Sequence, residues 1–220
     1  GTGAGTLALA RQLPGASLVA VDRDEELLAH LRHRAAEAGV ADRVRTVVAD
    51  LDGVWPPGLG PADLVWASAA LHHLADPAGT LARVRGLLRT GGAFMIVELD
   101  AFPRFRVDPA GAALEDRCHA ELARLRHEAG LHMGLDWGAA LQTAGFAVDG
   151  ERRFDIALRP PLPAGAARYA RESLRRARHR LADRLDAAEL ADLDALTATD
   201  PDPADLVVRT TRTVWVGRRR

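Results

Sequence analysis

The chain has 220 residues, 48% of them hydrophobic and 27% charged, with a net charge of −1. That length fits one domain or one domain with an insertion, the apolar share excludes a disordered chain, and the near-neutral balance gives no electrostatic reason for a nucleic-acid or membrane partner. All 29 basic residues are Arg, and the single Cys118 excludes an internal disulfide framework and suits a reducing compartment.

Along the chain, Gly1-Thr2-Gly3-Ala4-Gly5-Thr6 forms a glycine-rich turn. A helix is expected over 6–13, stopped by Pro14-Gly15, and then a short apolar strand over 17–21 ends at Asp22. Asp24, Glu25 and Glu26 supply the acidic first turn of a helix running to about residue 38, closed by Gly39. A strand over 44–49 ends at Asp50. A proline- and glycine-rich loop over 54–61 leads to a third strand, 63–67. Leu71-His72-His73-Leu74 follows, and Asp76-Pro77 opens a helix to about residue 88. Gly91-Gly92 turns into a fourth strand over 93–98. Strict alternation to this point implies a parallel sheet with helices on both faces.

After residue 100 the pattern changes. Leu114, Cys118, Leu122 and Leu125 mark a long amphipathic helix over 109–129. A shorter helix is expected over 135–144, a strand over 146–158 broken near Gly150, helices over 165–182 and 187–197, and a terminal strand over 206–216. No internal repeat is visible. The expected layout is a core over 1–100, a helical insertion or cap over 101–135, and the rest of the same domain over 136–220.

Four local features resemble the class I S-adenosylmethionine-dependent methyltransferases, in particular their small-molecule, quinone C-methyltransferase-like branch. They are Gly1-x-Gly3-x-Gly5, Asp22 at a strand end, Asp50-Leu51 at the next, and Ala67-Ser68-Ala69-Ala70-Leu71-His72-His73-Leu74 followed by Arg89-Thr90-Gly91-Gly92. Thr90 departs from the pattern, since Pro is usual there. The resemblance is detailed over residues 1–100 and architectural from about 140. It implies a Rossmann-like, doubly wound, mostly parallel α/β sheet with a carboxyl-terminal antiparallel strand and an inserted helical cap. It also implies that the family's amino-terminal helix and first strand are absent from this sequence, so that residues 1–220 alone are expected to be poorly stable and to bind the cofactor weakly.

What the resemblance implies for the site follows residue by residue. S-adenosylmethionine is the implied cofactor. Gly1, Thr2, Gly3 and Gly5 belong to the glycine turn that binds it, and backbone N–H groups near Gly3 to Thr6, at a helix start, meet its carboxylate. Asp22, with Arg23 beside it, takes the ribose hydroxyls, although Asp22 also suits a cap on the next helix. Asp50 and Leu51 meet the adenine, with Asp52 able to share the contact, and Ser68 lies at the end of the third strand. His73 and His72 are the candidates for a general base, against the alternative that either merely orders its turn. Glu98 and Asp100 end the fourth strand, where they can contact the acceptor or base in the same cleft or, equally, serve as surface caps.

The remaining signals are weaker. His119, His127 and His132 do not make a metal-ligand set, and no metal site is expected. The Arg cluster over 171–180 is followed by Asp183, Asp186 and Glu189, as on a solvated helix face. No Asn/Asp-Pro-Pro-Tyr-like segment follows the third strand, which argues against methylation of nucleic-acid bases. No apolar run reaches transmembrane length, and no signal-peptide layout is present. The expected protein is a cytoplasmic methyltransferase with a small-molecule acceptor, no nucleic-acid or membrane partner, and an oligomeric state left open. Two alternatives stand beside it: a non-catalytic protein with the same binding fold, and an NAD(P)-binding oxidoreductase, whose fingerprint would want its third glycine at Thr6.

Overall fold

Aspartate decides where most helices begin. In the computed structural model, which describes residues 1–220, five of the seven α-helices start behind an Asp whose side chain accepts a backbone N–H of the first turn: α2 (Glu25–Glu37), α3 (Pro77–Leu87), α4 (Pro109–Glu128), α5 (Trp137–Thr143) and α7 (Ala187–Thr197). Asp-Pro opens both α3 and α4, since Pro at the first helical turn forfeits only an N–H that has no helical partner anyway. Asp186 and Glu189 close a reciprocal capping box on α7. The other two helices, α1 (Ala4–Gln12) and α6 (Ala166–Arg180), begin behind glycines, Gly3 and Gly165, with no side-chain cap.

The strands are β1 (Leu18–Asp22), β2 (Val44–Val48), β3 (Ala62–Ser68), β4 (Leu88–Leu99), β5 (Arg104–Arg106), β6 (Phe146–Leu158) and β7 (Leu206–Arg219). They form two sheets. Parallel β1 and β2 make one, in the register Leu18↔Val44 to Asp22↔Val48. The second sheet runs β3-β4-β7-β5, with β6 also on β7. It is mixed: β3 and β4 are parallel, while β7 runs antiparallel to β4, β5 and β6. Residues 212–218 of β7 pair with β4 on one edge and β6 on the other. Arg209 likewise lies between Arg104 and Ala157, so β4 and β5 follow one another along the same edge of β7. No hydrogen-bonded pairing joins β1 to β3.

Two glycine-bearing strands depart from the simple expectation. Gly91-Gly92 does not interrupt β4; it forms a bulge, with Gly91 at φ +80°, where two steps on β3 (Ala62 to Leu64) face five on β4 (Leu88 to Ala93). Near Gly150 β6 likewise shifts register rather than ending. The short strand β5 falls in a region without a strand signal.

Three apolar cores result. The main one sets Phe94 and Ile96 of β4 against Leu81 and Val84 of α3, Trp137 and Leu141 of α5, and Trp215 of β7. A second joins Cys118 and Leu122 of α4 to Ala170 and Leu174 of α6, Leu193 of α7, Phe105 and Leu206. The smallest packs Leu7 and Ala10 of α1 on Leu31 and Ala35 of α2, with Val40. Gly3 makes this last contact possible. Its φ is +81°, and a Cβ there would run into the Leu31 side chain.

Candidate active site

The carboxyl ends of β1 to β4 carry the residues of interest, which is where ligands gather in open α/β sheets. Val48 stands opposite Asp22 in the β1–β2 register, and the Ala49 N–H donates to the Asp22 carbonyl at 3.0 Å. This fixes Asp50 close to Asp22. One Asp22 carboxylate oxygen accepts the Asp24 N–H at 3.0 Å, and the other lies beside Gly1, so the glycine turn and the carboxylate share one corner. Asp24, not Asp22, caps α2, accepting from the N–H groups of Glu26 and Leu27 at 2.9 and 3.2 Å. Since α1 has no side-chain cap, no side chain occupies its first-turn N–H groups.

Asp50 and Asp52 play different parts. Asp50 Oδ1 accepts only the Asp52 N–H at 3.0 Å, whereas Asp52 Oδ1 accepts the Ala75 N–H at 2.9 Å and ties this loop to the start of α3. Leu51 packs against the main core, and its carbonyl accepts the Trp55 indole N–H at 2.9 Å. Arg83 donates to the Gly53 carbonyl at 2.8 Å. Gly5 lies against Trp66 of β3, where an added Cβ would sit 3.1 Å from the indole nitrogen. Through these contacts the two sheets share one rim although their strands do not pair.

Ser68 ends β3, with its hydroxyl 3.5 Å from an Arg212 guanidinium nitrogen. Ala69 follows at φ +50°, a left-handed conformation that a non-glycine residue adopts at a cost of roughly 1–3 kcal/mol. Its N–H donates to the Val97 carbonyl at 2.8 Å, which holds the strained turn against β4.

The structure separates the two histidines that the sequence leaves equivalent. His72 is buried, and its Nδ1 lies 2.6 Å from Glu98 Oε2. The other Glu98 oxygen accepts the N–H groups of Ala70 and Leu71 at 3.1 and 2.9 Å, so this carboxylate fastens the whole turn. The His72 carbonyl accepts the His132 N–H at 3.1 Å. His73 is more open, with its ring centroid 4.0 Å from that of His72. Partial burial pushes its pKa down, His72, Arg180 and Arg23 push the same way, and Glu98 opposes them. A lowered histidine pKa favours the neutral ring at neutral pH.

Two cavities open beyond the end of β4 and share Asp100. The first, about 260 Å³, lies between residues 100–102, the inner face of α4 (His119, Ala123, Arg126) and Met133. The second, about 310 Å³, is bounded by Glu98, Asp136, Trp137, Glu151, Thr213 and Trp215. Asp100 accepts the Thr213 hydroxyl at 2.9 Å. Of the residues at these cavities, His119 and Arg126 are not singled out as ligand-facing by the sequence. The only sequence trace of their shared helix face is their spacing of seven, equal to two turns. No group of three or more His, Cys, Asp or Glu side chains is placed to hold a metal ion.

Comparison with known proteins finds a match over the amino-terminal part of the chain. Residues 1–94 match the model of the methyltransferase domain. Acetylserotonin O-methyltransferase of Mus musculus is 38% identical over 105 residues, covering 44% of this chain and 26% of that protein. An uncharacterized methyltransferase of Mycobacterium tuberculosis (strain ATCC 25618 / H37Rv) is 37% identical over 99 residues, covering 44% of this chain and 47% of that protein. The chain thus spans less than half the length of the curated relatives it matches. Among solved structures, a putative methyltransferase from Bacillus halodurans C-125 aligns over 99% of this chain and 89% of its own, with a TM-score of 0.58 at 18% identity, a likeness of fold. Residues 1–94 thus match a methyltransferase domain, and the chain shares the α/β fold of the solved structure.

Proposed function

We propose that the protein transfers a methyl group from S-adenosylmethionine to a small-molecule acceptor. One observation carries this reading: the uncapped start of α1, the Asp22 carboxylate and the Asp50 carboxylate lie on one rim, joined by the Ala49–Asp22 backbone bond. That donor set fits the cofactor. Backbone N–H groups over Gly1, Thr2, Gly3 and Gly5 suit its carboxylate, Asp22 and Arg23 its ribose, Asp50 and Leu51 its adenine, and Ser68 borders the methionine end. When bound, S-adenosylmethionine supplies an electrophilic methyl carbon.

The chain's own contribution is orientation, dryness and proton management. In this reading Glu98 holds His72 and the 70–72 backbone, so His72 is a positioning residue and His73 is the group nearer the reacting atoms. A neutral His73 imidazole accepts the proton that the acceptor, a hydroxyl or an acidic carbon, releases as the new bond forms. Residues 101–135 cover the acceptor, with α6 and α7 behind α4 in the second core. Excluding water and aligning the reactants accounts for much of the expected acceleration. The buried, unpaired thiol of Cys118 suits a reducing compartment, and the cytoplasm is the proposed location.

Calorimetric titration with S-adenosylhomocysteine tests the cofactor half. Asp22→Ala removes charged hydrogen bonds worth about 1.5–3 kcal/mol, so affinity should fall on the order of tenfold to a hundredfold with little change in melting temperature. Unchanged affinity would refute the ribose assignment. Binding without any methylated product across an acceptor library would instead support a non-catalytic binding protein, and preference for NADH would support an oxidoreductase.

A further inference from the structure

The 260 Å³ cavity under α4 contains two polar groups for which the fold provides no partner. Arg126 Nη1 and His119 Nδ1 are both buried and make no hydrogen bond. The Arg126 guanidinium carbon lies 4.3 Å from the centre of the Phe102 ring, and the His119 ring is 6.2 Å from the same ring. Neighbouring charge does not satisfy them. Asp100, the acidic wall residue, is bonded to Thr213 and stands 3.6 Å from Arg153. A buried donor without an acceptor costs about 1–3 kcal/mol, and more if charged, so a ligand that satisfies both groups recovers that cost on binding.

We propose that this cavity receives an aromatic acid carrying a hydroxyl at the opposite end of its ring, with the carboxylate on Arg126 and the hydroxyl donating to His119 Nδ1. The inference rests on the methyl-transfer reading and names the acceptor class. Three observations select it. First, Arg126 is a cation whose pKa is lowered by burial and by Arg180, so an anion relieves both stresses. Its planar fork suits a carboxylate. Second, His119 is driven neutral, its pKa pushed down to about 4 by burial and by Arg104 and Arg126. A neutral imidazole has one nitrogen without a hydrogen, and Nδ1, which has no partner in the fold, can serve as that lone-pair acceptor for a hydroxyl. Third, the two residues are seven apart on α4, roughly 10 Å along the axis, so their ligand groups belong at opposite ends of a ring. Phe102 supplies an aromatic wall between them. A volume of 260 Å³ is below the roughly 300–1,000 Å³ of drug-sized pockets and suits a single ring. Arg180 and Arg23, both near His73, extend the positive field from this cavity to the cofactor rim.

Ligand-observed NMR titration of the 220-residue protein with 4-hydroxybenzoate, and with neutral 4-hydroxybenzamide, tests this directly. The acid should bind about tenfold or more tightly than the amide. Arg126→Gln should abolish that preference. Ala123→Glu, which keeps Arg126 but sets a competing carboxylate three residues away on the same helix face, should abolish it too, so a packing defect in one variant cannot mimic the result. S-adenosylhomocysteine affinity should be unchanged in both variants. Equal binding of acid and amide, no acid binding up to about 10 mM, or a preference that survives both substitutions overturns the proposal. If the nucleoside binds and the acid is not preferred, only the acceptor class falls; if the acid is preferred and the nucleoside does not bind, the methyl-donor reading falls and the anion site stands.

Discussion

The amino-terminal region, α1 to β2, and the five-stranded sheet solve the same packing problem to different depths. Parallel strands flanked by helices are ordinarily buried on both faces. β4 conforms, with Phe94, Ile96, Val97 and Glu98 all inaccessible. No residue of β1 or β2 reaches that state, and Val19 and Val48 are largely exposed. The amino-terminal core contains five buried residues, against eleven in the core beneath β4. Yet this shallower region carries the glycine turn, Asp22 and Asp50, and lies wholly within the segment that matches the methyltransferase domain. The same matched segment also sends Leu81, Val84 and Phe94 into the main core, so it is the candidate cofactor corner, and not the matched sequence as a whole, that is shallowly packed.

The largest test of that contrast is Gly3→Ala. A left-handed φ costs a non-glycine residue about 1–2 kcal/mol. The new methyl also collides with Leu31, adding roughly 1–3 kcal/mol of overpacking. Because Gly3 starts α1 and lets it approach α2, the whole amino-terminal core should loosen. The expected outcome is loss of S-adenosylhomocysteine affinity on the order of a hundredfold, while amide protection in β4 and β7 is retained. If protection falls uniformly in both sheets, the regions are one cooperative unit and the contrast fails.

Hydrogen exchange of the unaltered protein sharpens the same comparison with a smaller effect. A two-stranded sheet is marginal by itself, and locally weak regions open before the global transition. Amides of β1 and β2 should exchange on the order of a hundredfold faster than those paired across β4–β7. Adding S-adenosylhomocysteine should slow β1 and β2 selectively, since a ligand stabilises the region that binds it. Similar rates in both sheets would contradict this.

Much of the fold is legible because its signals are local. Asp-Pro pairs, the first-turn acids at Glu25 and Glu26, and the alternation of apolar runs each act within a few residues, so strand and helix positions follow from neighbours alone. The end-of-strand placement of Asp22, Asp50 and Ser68 is local in the same sense. Other features are not. His72 and His73 are adjacent and alike, and only Glu98, twenty-six residues from His72, decides which ring is buried. The second core unites α4 with α6 and α7 across more than fifty residues, which no periodicity announces. Seven-residue spacing puts His119 and Arg126 on one helix face, but whether that face meets core, solvent or a cavity depends on Phe102 and Met133 from other segments.

His119 gives the smallest and most diagnostic prediction, because it titrates on the acceptor side of the molecule. Its folded pKa of about 4 lies below the ordinary 6.5 of an unfolded histidine, with burial as the main cause. Between those values the unfolded chain binds more protons, so stability falls as pH drops from about 6.5 and the loss is complete below about 4. His119→Gln removes this contribution and should flatten the acid limb of a denaturation series run between neutral and mildly acidic pH. The change should be accompanied by unaltered β1–β2 exchange, since His119 lies on α4, away from the amino-terminal core. An acid limb that is unchanged would mean that the ring is solvated and protonates freely. An acid limb that flattens only when 4-hydroxybenzoate is absent would instead join the cavity's ligand to this proton, because a hydroxyl donating to Nδ1 holds the neutral ring in place.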